Sequence, residues 1–232
     1  MVDFDLERKC LLLQTLVIGT GGFAHELAWH LEDSRLVSSQ ETFEEQTEIM
    51  FISKEESTFQ HIGMYKVISE AEFAQRHSLE NSFFSVAIGD VSNRIHLTHK
   101  FLKRGMRPVS IIHGLSRIGF STSIGEGAII CPGVTIMPKV QIGSFFHAHL
   151  NTYIAHNSVI GDFVTLLPGA MVSGYVDIEN DVLIGAGAII KNGTSSKRIS
   201  IGKGAVVGMG AIVTEDVPSG KVVVGNPARE LR

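Results

Sequence analysis

The stretch IGEGAIICPGVTIMPKVQIGSFFHAHLNTYIAHNSVIGDFVTL, residues 124–166, carries an aliphatic residue at every sixth position, with Ala148 as its one weak member. The same spacing extends outward in both directions and resumes after one longer gap. Its members are Ile112, Ile118, Ile124, Ile130, Ile136, Ile142, Ala148, Ile154, Ile160, Leu166, Val172, Ile178, Ile184, Ile190, Ile201, Val207 and Val213. Neither the helical period of 3.6 nor the strand period of 2 produces this pattern. A fixed period of six with glycine-rich second positions is typical of hexapeptide repeats that form a parallel β-helix.

The six-residue period predicts the geometry of this β-helix. Three hexads form one triangular coil of 18 residues, and successive coils stack at a strand spacing of roughly 4.8 Å. The large aliphatic residues fill the interior, while small or β-branched residues four positions later let the coil close. The seventeen hexads predict a little under six coils, and such a solenoid needs capping segments at its ends. Residues eighteen apart should therefore be vertical neighbours.

Composition excludes several classes of protein. The chain has 232 residues and a formal net charge of −4, which argues against a general nucleic-acid binder. No apolar run approaches the ~20 residues of a membrane span, and the acidic start of the chain does not resemble a signal peptide. Only Cys10 and Cys131 are present, without metal-ligand spacing, which favours reduced thiols in a cytoplasmic protein.

A glycine-rich turn follows the first predicted strand, Leu11–Ile18. The turn begins at Gly19 and contains Gly21 and Gly22, and a helix is predicted over Phe23–Leu31. A strand, a glycine turn and a helix in this order point backbone N–H groups at a phosphate, and the spacing fits the dinucleotide pattern G-x-G-x-x-A. The pattern is weak by itself, and a tight turn without a ligand is the alternative.

The rest of the N-terminal part alternates strands with helices, which predicts a small parallel α/β unit. The predicted strands are Glu48–Ser53 and Ser82–Ile88, and the predicted helices are Glu70–His77 and Asn93–Arg104. About 108 residues are too few for a complete six-stranded dinucleotide domain, so we expect a half-Rossmann unit that holds one nucleotide moiety. Gly89 and Asp90 end a strand and are either ligand neighbours or an ordinary turn. The chain thus divides into an α/β domain, residues 1–108, and a β-helix domain with a C-terminal cap, residues 109–232.

One histidine of the β-helix stands out by its position. His156 is the third residue of its hexad, at a corner that points away from the interior. The 18-residue coil stacks it between Pro138 and Gly174. This combination supplies a base and a backbone N–H for an oxyanion. Alternatively, His156 is one of ten histidines on a polar surface. The rival candidates are His113, His147 and His149, of which the last two flank Ala148.

The repeat is interrupted once. Eleven residues separate Ile190 from Ile201, so five extra residues must bulge outward, and the bulge carries Lys197 and Arg198. These basic side chains could meet phosphates, but a solvated loop is the favoured interpretation.

The whole chain resembles the bacterial sugar acyltransferases of the hexapeptide class that carry an N-terminal nucleotide-binding unit. This class includes nucleotide-sugar N-acetyltransferases of the bacillosamine and perosamine type and the related sialic acid O-acetyltransferases. The resemblance rests on LVIGTGGFA at residues 16–24, VAIGD at 86–90, IAHNSVIGD at 154–162 and VVVGNPAR at 222–229. The glycine turn alone is weakly specific, and the combination is strongly specific.

This resemblance implies a left-handed β-helix and a homotrimer with active sites between subunits. It implies acetyl-CoA as the donor cosubstrate and a nucleotide-linked amino sugar, of the 4-amino-4,6-dideoxy type, as the acceptor. His156 falls on the family's catalytic base, followed by Asn157, and Gly174 falls on the backbone N–H near the thioester oxygen. Ala186 and Met209 fall on the coenzyme A groove. Gly21, Gly22 and Phe23 fall on the loop that holds the nucleotide, with Gly89 and Asp90 as further neighbours.

Two positions depart from the family's pattern. The residue after the histidine is usually acidic, and here it is Asn157, which can orient the ring but cannot raise its basicity as a carboxylate would. Thr165 stands where a relative has a histidine that contacts the coenzyme. A weaker base, another carboxylate partner or a changed acceptor therefore stay open.

Four alternative functions are compatible with parts of the sequence. A sugar O-acetyltransferase keeps the chemistry and changes the acceptor to a hydroxyl. A metal-dependent hydratase on the same β-helix needs histidines that converge on a metal, and His147, His149 and His156 do not obviously converge, so we expect no metal site. A nicotinamide oxidoreductase would rest on the glycine turn alone. A non-catalytic partner of a sugar-modifying enzyme would not bind coenzyme A.

Overall fold

The computed structural model describes residues 14–32, 36–37, 48–54, 60–76 and 82–231. Residues 1–10, the first three residues of the predicted strand Leu11–Ile18, and His77 of the predicted helix Glu70–His77 lie outside these ranges. The described chain forms a small α/β unit followed by a long stack of short parallel strands. Among these residues no helix is both long and apolar enough to span a membrane.

The N-terminal unit is a six-stranded sheet with three helices. Its strands are β1 (Gln14–Ile18), β3 (Glu48–Ser53), β4 (His61–Ile62), β5 (Tyr65–Ser69), β6 (Ser82–Val86) and β7 (Arg107–Pro108), and β2 (Leu36–Val37) pairs elsewhere. Its helices are α1 (Gly22–Leu31), α2 (Glu70–Arg76) and α3 (Val91–Leu102). The sheet order is β4-β5-β3-β1-β6-β7, parallel except for the β4–β5 hairpin. The strands that follow β1 are therefore added to one side of it up to β5, and β6 and β7 are added to its other side.

Most predicted elements of this unit are present with shifted ends. The strand over Glu48–Ser53 is confirmed, and α3 begins two residues earlier than predicted because Asp90 caps it, accepting a hydrogen bond from the Asn93 N–H at 2.8 Å. The prediction missed β4, β5 and β7. Two of these strands have only two residues, and β5 ends at Ser69, whose hydroxyl accepts from the Glu72 N–H at 3.1 Å, so the strand continues directly into α2.

The second part of the chain is a left-handed parallel β-helix. Its strands are β8 (Ile111–His113), β9 (Arg117–Ile118), β10 (Ser123–Ile124), β11 (Ile129–Ile130), β12 (Thr135–Ile136), β13 (Gln141–Ile142), β14 (His147–Ala148), β15 (Tyr153–Ile154), β16 (Val159–Ile160), β17 (Thr165–Leu166), β18 (Met171–Val172), β19 (Val176–Ile178), β20 (Leu183–Ile184), β21 (Ile189–Ile190), β22 (Ile199–Ile201), β23 (Val206–Val207), β24 (Ile212–Val213), β25 (Val222–Val224) and β26 (Arg229–Glu230). At the two ends, β2 pairs antiparallel with β8 and β26 pairs antiparallel with β25.

Successive strands visit three sheets in rotation, which we name the three faces of the β-helix. The first face contains β8, β11, β14, β17, β20, β23 and β25, the second contains β9, β12, β15, β18, β21 and β24, and the third contains β10, β13, β16, β19 and β22. Tyr153 pairs with Thr135 below it and with Met171 above it. Residues eighteen apart are thus vertical neighbours, as the repeat predicts.

The aliphatic repeat residues fill the interior. Ile154, Leu166 and Val172 are fully buried, and Ala148 is also buried despite its small size. Ile124 is half-buried, and Ile118 is the most exposed member of the repeat at 41%. It lies on β9, the last strand of its sheet, so no coil covers it from below.

The N-terminal unit packs on the first face through one fully buried arginine, Arg94 of α3. Its guanidinium donates to Thr165 Oγ1 at 2.8 Å, to the Phe163 carbonyl at 2.6 Å and to His147 Nδ1 at 2.9 Å. Phe23 of α1 adds a ring contact with His149, with centroids 4.3 Å apart. The first turns of α1 and α3 therefore both lie against the first face.

Candidate active site

His156 lies at the corner between the second and third faces, just after β15, and its side chain is exposed. The strands below and above, β12 and β18, place Pro138 and Gly174 at the equivalent corners. A Cβ added to Gly174 would stand 3.1 Å from His156 Cε1 and 3.2 Å from Nε2. The imidazole therefore occupies the space that the missing side chain of Gly174 leaves open, which is the stacking that the sequence predicts.

Gly174 is buried between two neighbouring coils. Its carbonyl accepts a hydrogen bond from the Gly193 N–H at 3.0 Å. Its own N–H makes no hydrogen bond within the described part of the chain. An N–H without a protein partner, next to an imidazole, can donate to an oxygen that becomes negative during a reaction.

Asn157 contacts the catalytic candidate directly. Its Nδ2 lies 2.8 Å from His156 Nδ1, and its backbone adopts a left-handed φ of 58°, a conformation that asparagine tolerates well. A side-chain amide can present either its N–H or its carbonyl to a partner. In the orientation of the structure Nδ2 donates to Nδ1, which leaves the ring hydrogen on Nε2. When the amide is turned over, its side-chain carbonyl accepts from Nδ1–H, and the lone pair of the ring is then on Nε2, the nitrogen beside Gly174. Asn157 can therefore select which ring nitrogen accepts a proton.

Tyr175 is a neighbour that the sequence analysis missed. Its ring meets the His156 ring edge-on, with centroids 5.4 Å apart and an interplanar angle of 88°. Its N–H donates to the His156 carbonyl at 3.3 Å. The available signal was its position eighteen residues after Asn157, which places it directly above that residue.

The two residues predicted for coenzyme A lie at another corner. Ala186 follows β20 and Met209 follows β23, so both lie between the first and second faces. The Gly210 N–H donates to the Ala186 carbonyl at 2.8 Å, and the Met209 side chain is 82% exposed. Within one chain, these two residues and His156 are therefore not brought together, because the whole second face separates the two corners.

The glycine turn after β1 begins α1. Gly21 is the N-cap of that helix, Gly22 is its first residue, and both are exposed. Phe23 instead packs on the β-helix, with its ring 5.3 Å from that of His147 and 4.3 Å from that of His149. The structure thus gives Phe23 a packing contact between the two units, beside whatever role it has toward a ligand.

Gly89 and Asp90 begin α3 at the end of the adjacent strand β6. Both are exposed, and Asp90 caps the helix. Since β1 and β6 are paired neighbours at the point where the sheet reverses direction, their two turns lie together at the carboxyl edge of the sheet. Ligands of open α/β sheets bind at such an edge.

A cavity of about 560 Å³ opens at this carboxyl edge. It is lined from the ends of β1 and β3 and from α3, and its polar lining includes Thr20, Ser53, Lys54, Asn93, His96 and Lys100. Lys100 is held by Glu70 at 2.6 Å. The sequence analysis missed Lys54, although a lysine directly after a buried strand is a signal for anion binding. The predicted residues Gly21, Gly22, Gly89 and Asp90 are not part of its lining.

The rival histidines are buried in structural contacts. His113 accepts a hydrogen bond from the Leu115 N–H at 3.1 Å, and His147 lies under Arg94. Burial, followed by the nearby Arg94 charge, lowers the pKa of His149 to about 4. Thr165, where a relative has a coenzyme-binding histidine, is fully buried and bonded to Arg94.

The described residues contain no group of three or more His, Cys, Asp or Glu side chains that could hold a metal ion. The described residues therefore do not offer the set of metal ligands that the hydratase alternative requires. Cys131 is buried, and burial raises the pKa of its thiol to about 12.

Comparisons with known proteins agree with this fold. Residues 175–215 match the family model described as a hexapeptide repeat of succinyl-transferase. The chain is 45% identical over 171 residues to GDP-perosamine N-acetyltransferase of Escherichia coli O157:H7, covering 74% of this chain and 77% of that protein.

Two solved structures share the whole architecture. The structure of WeeI from Acinetobacter baumannii AYE has a TM-score of 0.84 at 37% identity, covering 94% of this chain and 100% of the other. The acetyltransferase domain of PglB from Neisseria gonorrhoeae FA1090, in complex with acetyl coenzyme A, has a TM-score of 0.78 at 26% identity, covering 94% and 98%. Both carry the α/β unit and the β-helix along nearly their full length.

Proposed function

This chain belongs to the hexapeptide-repeat sugar acyltransferases, and we propose that it transfers the acetyl group of acetyl-CoA to the amine of a nucleotide-linked 4-amino-4,6-dideoxy sugar. The observation that carries the proposal is the exposed His156 imidazole directly beneath Gly174. The relative named GDP-perosamine N-acetyltransferase supports an amine as the acceptor. We place the activity in the cytoplasm, where a free thiol such as Cys131 stays reduced.

The chemical step is a direct transfer with His156 as the general base. The amine nitrogen attacks the thioester carbon, and His156 Nε2 takes a proton from the amine. The Gly174 N–H stabilises the oxyanion that forms. The intermediate then releases the coenzyme A thiolate, which takes the proton from the imidazolium, so the products are the amide and the free thiol. Asn157 holds Nδ1 during this cycle.

Residues 1–108 bind the nucleotide in this proposal, and residues 109–232 carry out the transfer. We assign the nucleotide to the cavity at the carboxyl edge of the sheet, whose lining carries the cations Lys54 and Lys100, the latter paired with Glu70. The N–H groups of Gly21 and Gly22 at the start of α1, together with the turn at Gly89 and Asp90, extend this site toward the β-helix.

A complete site needs a second copy of the chain, and we propose the homotrimer. The N-terminal unit packs on the first face through Arg94, whereas His156 lies at the corner opposite that face. A nucleotide sugar held by one chain therefore cannot reach the histidine of the same chain. A corner that carries His156 and a corner that carries Ala186 and Met209 can meet only between neighbouring subunits.

The second face offers the surface for this assembly. Its outward residues Tyr153, Met171 and Ile189 stack in register on β15, β18 and β21. Met171 is 46% and Ile189 is 38% exposed, which forms an apolar stripe in the isolated chain. Such a stripe, located between the two functional corners, is expected to pack against a second copy.

The activity is tested with purified protein, acetyl-CoA and paired acceptors. We expect acetylation of the nucleotide-linked 4-amino sugar and no acetylation of its 4-hydroxyl analogue. His156→Ala should lower turnover by roughly 10²–10⁴-fold, the range of a general base. The exposed His61→Ala variant is the matched control. Preference for the hydroxyl acceptor, or near-normal turnover of His156→Ala, would overturn the proposal.

The shared site is tested by mixing two inactive variants. Thr20→Trp fills the nucleotide cavity, and His156→Ala removes the base. Co-expressed subunits that form mixed trimers should regain activity. Some of their intersubunit sites combine the intact cavity of a His156→Ala subunit with the intact histidine of a Thr20→Trp subunit. A mixture that is no more active than its two components would show that each chain works alone.

A further inference from the structure

The insertion after Ile190 lies directly above the catalytic corner. The chain leaves β21, crosses over Gly174 and Tyr175, and pairs again where Ile199 lies opposite Val176. The Gly193 N–H donates to the Gly174 carbonyl at 3.0 Å, and the Ile199 N–H donates to the Tyr175 carbonyl at 3.2 Å. The five extra residues therefore enter the repeat at the corner that carries His156.

Lys191, Asn192 and residues 194–197 of this insertion are exposed, as in the solvated loop that the sequence favours, and hydrogen bonds fix its path. Thr194 closes it, because its N–H donates to the Lys197 carbonyl at 2.8 Å and its hydroxyl accepts from the Lys197 N–H at 3.0 Å. Gly193 is buried, and a Cβ there would clash with the Tyr175 carbonyl and lie 2.8 Å from Arg198 Cα. The loop thus holds the backbone of Arg198 in one position.

Arg198 extends from this loop into a set of directed contacts. Its Nε donates to Asp177 Oδ2 at 2.6 Å, and Nη2 lies 2.6 Å from Asp177 Oδ1, so the carboxylate is gripped at both oxygens. The same Nη2 donates to the backbone carbonyl of Asn157 at 2.7 Å. The guanidinium also lies 5.8 Å from the centroid of the Tyr175 ring.

Two of the residues that Arg198 contacts, Asn157 and Tyr175, also contact the imidazole of His156. Asn157 bonds His156 Nδ1 through its side chain, and Tyr175 meets the ring edge-on. Asp177 does not reach the histidine itself, since both of its oxygens are bound by Arg198. A planar guanidinium suits this task because its fork fixes direction as well as charge.

We propose that Arg198 is a positioning residue of the transfer site, which holds Asn157 and Tyr175 so that His156 faces the acceptor amine. The inference rests on the proposed function, because it assigns to His156 the role of base. It also explains how the site works without an acidic residue after the histidine. The ring is fixed by a chain of oriented contacts that begins at Asp177, passes through Arg198 and ends at the amide of Asn157.

Arg198→Met tests the inference and Lys197→Met is its matched control, since Lys197 is the adjacent, exposed cation of the same loop. We expect Arg198→Met to lower kcat by roughly 10- to 100-fold, the effect of a small displacement of a reacting group. The KM values for acetyl-CoA and for the nucleotide sugar should stay within about twofold of the parent values, as expected for a residue that touches neither ligand. Arg198→Lys should recover part of the loss, because it keeps the charge and loses the fork.

A second variant keeps the test valid if Arg198→Met folds poorly. Asp177→Asn leaves the loop intact, weakens the anchor of the guanidinium, and should lower kcat in the same direction. Unchanged kcat in Arg198→Met, or a rise in KM with kcat preserved, would overturn the inference. His156→Ala is assayed in parallel. If that variant remains active, the proposed function fails, whereas an inactive His156→Ala beside a fully active Arg198→Met removes only the role of Arg198.

Discussion

Arg94 and His147 form a buried hydrogen bond of 2.9 Å between Nη1 and Nδ1, across the contact between the α/β unit and the β-helix. A guanidinium can only donate, so Nδ1 must accept and the imidazole must be neutral. Burial, followed by the charge of Arg94, lowers the pKa of His147 well below 6.5. The same two causes lower the pKa of the neighbouring His149. The contact between the two units therefore requires two uncharged histidines.

The first prediction is that the protein loses stability in mild acid. The pKa of His149 falls from 6.5 to about 4 on folding, so between these values the unfolded chain binds a proton that the folded chain excludes. This contribution to the free energy of unfolding is complete above pH 6.5 and is lost as the pH falls toward 4. It amounts to about 3 kcal/mol for His149 alone, at 1.36 kcal/mol per pKa unit.

Denaturant unfolding at a series of pH values measures this loss. His149→Gln removes one of the two titrating groups and should make the dependence less steep, with His147 supplying the remainder, while the exposed His61→Gln should leave it unchanged. A parent protein that is equally stable at both ends of this pH range would contradict the assignment.

The second prediction concerns Arg94 itself. Arg94→Met leaves His147, Thr165 and the Phe163 carbonyl without their donor, and each buried unsatisfied group costs about 1–3 kcal/mol. We expect a large loss of stability and easier proteolysis between the two units. Lys103→Met at the exposed end of the same helix is the control and should behave like the parent. Equal stability of the two variants would show that the units are held by other contacts.

The sequence predicted the β-helix and the stacking of His156 beneath Gly174, because a period of six leaves few geometries open. Once the coil is 18 residues, the placement of His156 beneath Gly174 follows without further information. Arg94 could not be found in this way. In a polar, amphipathic helix it looks like an ordinary surface cation, and it becomes buried only because residues more than 50 positions away, on another domain, surround it.

Arg198 escaped prediction for a related reason. The break in the repeat was visible, but the geometry of an insertion does not follow from the period that it interrupts. Its role depends on Asp177, which lies on the preceding coil and has no motif of its own. The six-residue repeat therefore predicts the stacked positions of the coils. It does not predict the contacts of Arg198, which lies in the insertion that interrupts the repeat.

The third prediction is that Gly174→Ala impairs transfer more than it impairs folding. The added methyl group would lie 3.1–3.2 Å from the His156 ring, closer than ordinary van der Waals contact, so the exposed ring must move away. We expect turnover to fall at least about tenfold, because the base is displaced from the amine. Thermal unfolding and coenzyme A binding by calorimetry are measured on the same sample. A parent-like turnover would show that the space above His156 is not used.

The fourth prediction separates orientation from charge at Asn157. Asn157→Gly keeps the left-handed backbone and the backbone carbonyl that accepts from Arg198. It removes the side-chain amide at 2.8 Å from His156 Nδ1. Turnover should fall by up to about a hundredfold, because the ring loses the contact that selects its proton-accepting nitrogen. The carboxylate of Asn157→Asp can only accept a hydrogen bond. It therefore holds the ring hydrogen on Nδ1 and leaves Nε2 free to accept a proton.

We therefore expect Asn157→Asp to be at least as active as the parent, and Asn157→Gly to be much less active. Steady-state kinetics with the amino-sugar nucleotide measures both, with circular dichroism to verify folding. If the glycine variant matches the parent, the amide does not orient the ring. If the aspartate variant is as impaired as the glycine variant, the donor face of Asn157 is the one that the reaction uses; Nε2 then carries the ring hydrogen and cannot accept the proton of the amine.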